Sequence, residues 1–162
     1  MNKEAVYAYL ASRRIPYEAT GHGAVFRMTD LPSVPLPYPD ADAKNLFVRG
    51  GKKERYYLIT VKGDKRVDLK AFRRRHGTRA LSFACADGLR ALLGLTPGSV
   101  TPPGVLNDTE RRVHVFLDAA FLEPPARIGV HPNDNTATVW LHTKDLIALI
   151  EEHGNALTLA EL

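Results

Sequence analysis

Residues 44–61 read KNLFVRGGKKERYYLITV, and the rest of the chain is best read from this stretch outward. Asn45–Arg49 and Arg55–Val61 are rich in β-branched and aromatic residues, and Gly50-Gly51 between them is a hairpin signal. Two strands in succession, with no helix between them, break the regular alternation of a doubly wound sheet. In Tyr56-Tyr57, a period of two sends one ring to the core and leaves the other outside.

Upstream, residues 30–42 (DLPSVPLPYPDAD) hold four prolines, which rules out a continuous helix or a central strand. An irregular connection of this length is often functional. Residues 2–14 read as a helix capped by Asn2, with Val6, Tyr9 and Leu10 on one face. Pro16 ends it, and Tyr17–Thr20 is extended. Downstream, Lys62–Lys65 is a turn. Asp68 caps a helix over Leu69–His76 that Gly77 stops, and residues 80–84 form a short strand. Asp87–Leu93 is a helix ended by Gly94, followed by an irregular Gly/Pro loop over 96–104. Val113–Leu117, Ile128–Val130 and Thr136–Leu141 are strands. Thr143 caps a last helix with Leu146, Ile147, Leu149 and Ile150 inward and Gly154 at its end. The fold class expected is α+β, in one domain over residues 1–162.

Composition narrows the function classes. With 44% hydrophobic and 25% charged residues, the chain is ordinary for a globular protein, and it is long enough to bury a core without metal or disulfide. The net charge of +4 hides an asymmetry. Residues 44–79 hold thirteen Lys or Arg against three Asp or Glu, a balance of +10, which leaves −6 for the remainder. That segment points to a polyanionic partner. Within it, Lys52 and Lys53 lie at the hairpin, Arg73 and Arg74 lie late in a helix, and Arg79 follows. Phosphate-backbone contact suits such residues, although the dipole of a helix C-terminus favours cations without any ligand.

Cys85 is the single cysteine, so no intrachain disulfide forms. Between Phe83-Ala84 and Ala86 it reads as a buried structural residue. Met1-Asn2-Lys3-Glu4 runs into charged, amphipathic sequence, and no run of about 18 apolar residues occurs. A cytoplasmic protein without membrane contact is expected.

Several chemistries lack their motifs. There is no P-loop, dinucleotide fingerprint, nucleophile elbow or paired Cys-x-x-Cys. His114, His131 and His142 have no metal-ligand spacing, so no metal and no cofactor are expected. Three loop segments instead mix small and polar residues. They are Lys44-Asn45-Leu46-Phe47, Gly98-Ser99-Val100-Thr101-Pro102, and Gly129-Val130-His131-Pro132-Asn133-Asp134-Asn135-Thr136-Ala137-Thr138.

With Asp64-Lys65-Arg66-Val67-Asp68-Leu69 between the first two, this order resembles the YbaK-type aminoacyl-tRNA deacylases, the prolyl-tRNA-synthetase-associated editing domains. Within them it is most similar to the free-standing members that hydrolyse Ala-tRNA(Pro). The resemblance spans nearly the whole chain, and its pieces are specific in combination. It implies a mixed, mostly antiparallel sheet forming a pseudo-barrel with flanking helices. It also implies hydrolysis of the ester of mischarged tRNA, with the acceptor end as substrate and prolyl-tRNA synthetase as a further partner. Lys44, Asn45 and His131 match the family's functional positions. Gly98, Ser99, Gly129, Pro132, Asn135 and Thr136 would line the substrate, with backbone amides near Gly98-Ser99 and Gly129 approaching the scissile carbonyl. The chain departs from the pattern at Pro103, where members often carry an aromatic residue. Rival readings keep the chemistry with Cys- or Ser-tRNA, or make the chain a non-catalytic module that binds tRNA or a synthetase.

Overall fold

A computed structural model describes residues 1–21, 41–50, 55–63 and 65–162. Most of the proline-rich segment, and Lys52 and Lys53, lie outside them. The described chain runs α1 (Lys3–Ser12), β1 (Tyr17–Gly21), β2 (Ala43–Gly50), β3 (Arg55–Lys62), α2 (Leu69–His76), β4 (Leu81–Phe83), α3 (Ala86–Leu93), a 3-10 helix (Pro102–Asn107), β5 (Val113–Asp118), a second 3-10 turn (Ala119–Leu122), β6 (Arg127–Val130), β7 (Ala137–His142), α4 (Thr143–His153) and β8 (Leu157–Ala160).

Local chemistry sets most boundaries. Asn2 accepts the Ala5 amide at 2.8 Å, and Asp68 accepts those of Lys70 and Ala71, caps worth ~1 kcal/mol each. Gly77 and Gly94 end α2 and α3 in the left-handed conformation that glycine tolerates. Thr143 departs from expectation. It is the first residue of α4, and its buried hydroxyl donates to the Phe121 carbonyl at 2.7 Å instead of capping the helix. Cys85 is likewise exposed, not buried; it is the N-cap of α3, its Sγ accepting the Gly88 amide at 3.4 Å. The loop after α3 is regular from Pro102, where proline suits the first helical turn.

The strands form two sheets. One has three antiparallel strands in the order β1-β7-β6. The other has five, in the order β4-β2-β3-β5-β8. Its first two pairings are antiparallel and its last two, β3–β5 and β5–β8, are parallel. The α+β class with a mixed sheet therefore holds. The ladders do not close into a barrel among the described residues; a parallel bridge between Asp42 and Gly129 brings their edges together. β8 was not expected. Buried Asn155 fastens the chain just before it, donating to Asp108 Oδ2 and the Val113 carbonyl at 2.9 Å each.

The larger core lies between the sheets. Phe47, Tyr56, Leu58, Val115 and Leu117 of one sheet meet Ile128, Val130, Val139 and Leu141 of the other, with α1, α3 and α4 closing the sides. A smaller core of Val48, Tyr57, Ile59, Val61, Phe72 and Phe116 lies under α2, on the opposite face of the five-stranded sheet. Tyr56 and Tyr57 are thus both buried, one in each core, because both faces of β3 are covered. No helix among the described residues is long and apolar enough to cross a membrane.

Candidate active site

The edge contact between the sheets builds the site. Asp42 and Gly129 pair in parallel, so the two chains leave the bridge in the same direction. Lys44 and His131 each lie two residues beyond it on adjoining segments. Lys44 alternates with Asn45 and Phe47, so it projects from the face opposite the larger core. Gly129 and Trp140 take the same side of the three-stranded sheet. Asn45 points the other way, toward the inter-sheet core, where the Thr60 hydroxyl donates to its Oδ1 at 2.7 Å. The neighbouring residues Lys44 and Asn45 therefore address two sides of β2.

Two buried polar residues that sequence reasoning passed over hold this end of the molecule together. Asp118, 1% exposed at the end of β5, accepts the Lys62 amide at 3.1 Å, the Ala120 amide at 3.0 Å and Lys65 Nζ at 2.8 Å. Burial pushes its pKa up. Lys65 and the two amides outweigh that and hold the carboxyl below its ordinary value. The turn so anchored presents the Lys65 carbonyl to Lys44 Nζ at 3.5 Å. Asp118 thus places Lys44 through the turn. Thr101, fully buried, donates its hydroxyl to the His131 carbonyl at 2.8 Å and ties the Gly98–Pro102 loop to the histidine.

His131 Nδ1 lies 2.9 Å from the Ala137 carbonyl. A carbonyl only accepts, so Nδ1 carries the hydrogen and the neutral ring keeps its basic lone pair on Nε2. The loop from Pro132 to Thr136 is ordered by Asp134, whose Oδ1 accepts both the amide and the hydroxyl of Thr136. Those bonds lower the Asp134 pKa, with smaller help from Lys3 and His131. Lys3 Nζ reaches Thr136 Oγ1 at 3.4 Å, and Asn133 donates to the Met1 carbonyl, so the N-terminus buttresses the loop. Asn135 lies half-buried in that loop. Pro132 lines a small apolar cavity with Pro103, Leu106, Val130 and Val139.

Gly129 makes room for a ring of the protein itself. A Cβ on Gly129 would stand 2.3 Å from the Trp140 ring, so the space is already filled by indole. Gly98 has a φ of +89°, and the Ser99 amide is engaged with the Thr96 carbonyl at 3.0 Å. Arg73, Arg74 and Arg79 are exposed around the C-terminus of α2, on the same face of the five-stranded sheet as Lys44. Among the described residues no group of three His, Cys, Asp or Glu is placed to hold a metal ion.

The chain is similar to known proteins over nearly its whole length. The chain is 37% identical over 160 residues to the prolyl-tRNA editing protein ProX of Acetoanaerobium sticklandii, covering 99% of this chain and 97% of that one. It is 29% identical to the prolyl-tRNA synthetase associated domain-containing protein 1 of Bos taurus, over 94% and 91% of the two chains. A solved structure of a candidate trans-editing enzyme for prolyl-tRNA synthetase superposes with a TM-score of 0.70 at 21% identity, covering 99% of this chain and 95% of that one, which supports the fold. The aminoacyl-tRNA editing domain family matches residues 25–149, and the chain belongs to that family.

Proposed function

We propose that this protein hydrolyses the ester joining a mischarged amino acid to the terminal adenosine of tRNA, with Ala-tRNA(Pro) as its main substrate. The reading rests on one observation above the others. Lys44 and His131 each lie two residues beyond the Asp42–Gly129 bridge on adjoining segments, in a chain of the aminoacyl-tRNA editing family.

An aminoacyl ester is already activated, so the protein must place a water and stabilise the tetrahedral oxyanion. Water adds to the carbonyl carbon, the oxyanion collapses, and the ribose oxygen leaves with a proton. Lys44 supplies positive charge to the terminal phosphate or the oxyanion. His131 takes the proton from water at Nε2, or orients the substrate through it. The vicinal ribose hydroxyl of the substrate assists. Asn45 positions its neighbour and the strand entrance from the inner side. Gly98, Ser99, Pro132, Asn135 and Thr136 shape the walls, and Gly129 contributes by seating Trp140 behind them.

A pocket built for proline cannot exclude the smaller alanine, and one or two methylenes discriminate by only ~1–3 kcal/mol, so a second sieve is needed. The apolar cavity behind Pro132 offers methyl-sized space, and Pro103 narrows one wall of it. Arg73, Arg74 and Arg79, with Lys52 and Lys53, hold the tRNA backbone. Prolyl-tRNA synthetase is the natural partner, and the cytoplasm the natural compartment. We read residues 1–162 as one editing domain whose two sheets act as a barrel-like shell, supported by the bridge where their edges meet.

A panel of mischarged tRNAs tests the proposal. Purified protein is expected to release alanine from Ala-tRNA(Pro) and leave Pro-tRNA(Pro) largely intact. Equal hydrolysis of both, or of neither, would refute it.

A further inference from the structure

Phe83 is the most exposed large apolar side chain in the described structure, at 64%. It lies on β4, the outermost strand of the five-stranded sheet, directly opposite Val48 of β2. Val48 and Leu81 belong to the small core under α2, so Phe83 takes the same face as α2 and Lys44, but beyond the helix's cover.

Its place along β2 gives it meaning. One edge of β2 is occupied by β3 over the full length Ala43–Gly50. The other edge is shared. Among the described residues, β6 touches it at Asp42, and β4 pairs with Val48, Arg49 and Gly50. Between the bridge and β4, this edge of the strand runs from Lys44 to Phe47, whose carbonyl accepts the Ala84 amide at 3.0 Å. Lys44 and His131 stand at one end, and Phe83 stands at the other. Four residues along a strand and one strand across put Phe83 roughly 14 Å from Lys44. At about 3.4 Å per stacked nucleotide, that is a span of roughly four nucleotides.

The surroundings are strongly basic. Arg73, Arg74 and Arg79 are exposed on the segment that leads from α2 directly into β4, and α2 lies against β4. A cationic surface with one bare aromatic ring is the combination that holds single-stranded nucleic acid, the cations tracking phosphates and the ring stacking on a base.

We infer that Phe83 is a base-stacking platform for the unpaired 3′ tail of the RNA, seating a nucleotide upstream of the terminal adenosine, with the reacting end at Lys44. This deepens the proposed function and rests on it for the identity of the RNA. The ring reads no sequence, because every base has a stacking face. It sets the length of tail that reaches the reacting end.

The test is a binding measurement at fixed salt with two short RNA hairpins, one ending in an unpaired tail that terminates in CCA and one blunt. Wild-type protein should bind the tailed hairpin more tightly. Phe83→Ala should cost about ten-fold on the tailed hairpin and erase that preference, and Phe83→Tyr should restore it. Thermal unfolding of each variant checks that the exposed site has not disturbed the fold. In deacylation, Phe83→Ala should raise KM on tRNA more than it lowers kcat. Equal binding of the tailed hairpin by wild type and Phe83→Ala would overturn the inference. So would a self-associated wild-type protein, seen by sedimentation, that Phe83→Ala turns into monomer without changing RNA binding. Failure of the deacylase reading shows separately, as absence of ester hydrolysis by a protein that still prefers the tailed RNA.

Discussion

The two faces of β2 do different work with different materials. The inner face is neutral: Asn45 meets the Thr60 hydroxyl, Phe47 stacks on Tyr56, and aliphatic side chains of the second sheet close over them. The outer face is charged and aromatic. Lys44 stands at its start, α2 brings its arginines, and His76, His114, Phe72 and Phe116 crowd beneath the helix. The contrast teaches that selectivity and holding can be built on opposite sides of one strand. In the proposed function, the neutral side and its neighbouring loops shape a small pocket, while the charged side is the one to attract a polyanion.

The largest expected effect comes from removing the one residue that faces the charged side within the site. Lys44→Ala should lower kcat for deacylation by about 100-fold or more, the usual loss on removing one oxyanion or phosphate donor, with unfolding behaviour unchanged. Full activity in this variant would end the assignment. Next is Gly129→Ala, which drives a methyl into the Trp140 ring. It should destabilise the fold by ~1–3 kcal/mol, seen in denaturant unfolding, and depress activity by displacing His131.

Asp118→Asn separates positioning from chemistry. It loosens the turn that presents a carbonyl to Lys44 and should cost ~1–3 kcal/mol of stability as well as several-fold in kcat. The depressed carboxyl makes a further point about pH. Its contribution is fully present above the ordinary carboxylate range and is lost as pH falls from there through its own lower value, so the wild type should shed this part of its stability on the acid side of that range.

Arg73→Ala and Arg74→Ala should weaken tRNA binding several-fold without preference for the attached amino acid, and each should reduce the salt dependence by about one counterion. The smallest effect concerns His114 and His76. Burial lowers both pKa values; repulsion from His76 adds to the effect on His114, and from Arg75 on His76. The unfolded chain then binds protons more readily, so stability should fall as pH drops below about 6.5, and His114→Gln should flatten that slope.

Much of this was legible in the chain. The caps Asn2 and Asp68 and the stops Gly77 and Gly94 act within a few residues of themselves, so local chemistry announces them. The hairpin strands β2 and β3 and the register of small residues around His131 were also plain. What escaped depends on partners far along the chain. Thr143 has the look of a cap, yet its hydroxyl serves a carbonyl 22 residues back. Asp118 reaches Lys62 over 56 residues, and Thr101 reaches His131 over 30, distances that no local pattern encodes. β8 is a four-residue strand whose parallel pairing with β5 exists only once the sheet is assembled. Cys85 was misjudged because its small apolar neighbours imitate a core, whereas the edge position of β4 leaves it in water.

Trp140 is the only tryptophan in the chain. It is fully buried, and its ring lies against Gly129, two residues before His131. The protein therefore carries one indole, which can be excited apart from its tyrosines, set behind the proposed reaction centre. Its emission belongs to a single environment, so any shift on adding RNA reports that place alone. Occupancy of the site can be followed by stopped-flow in unlabelled protein, turnover by turnover, with the indole itself as the gauge.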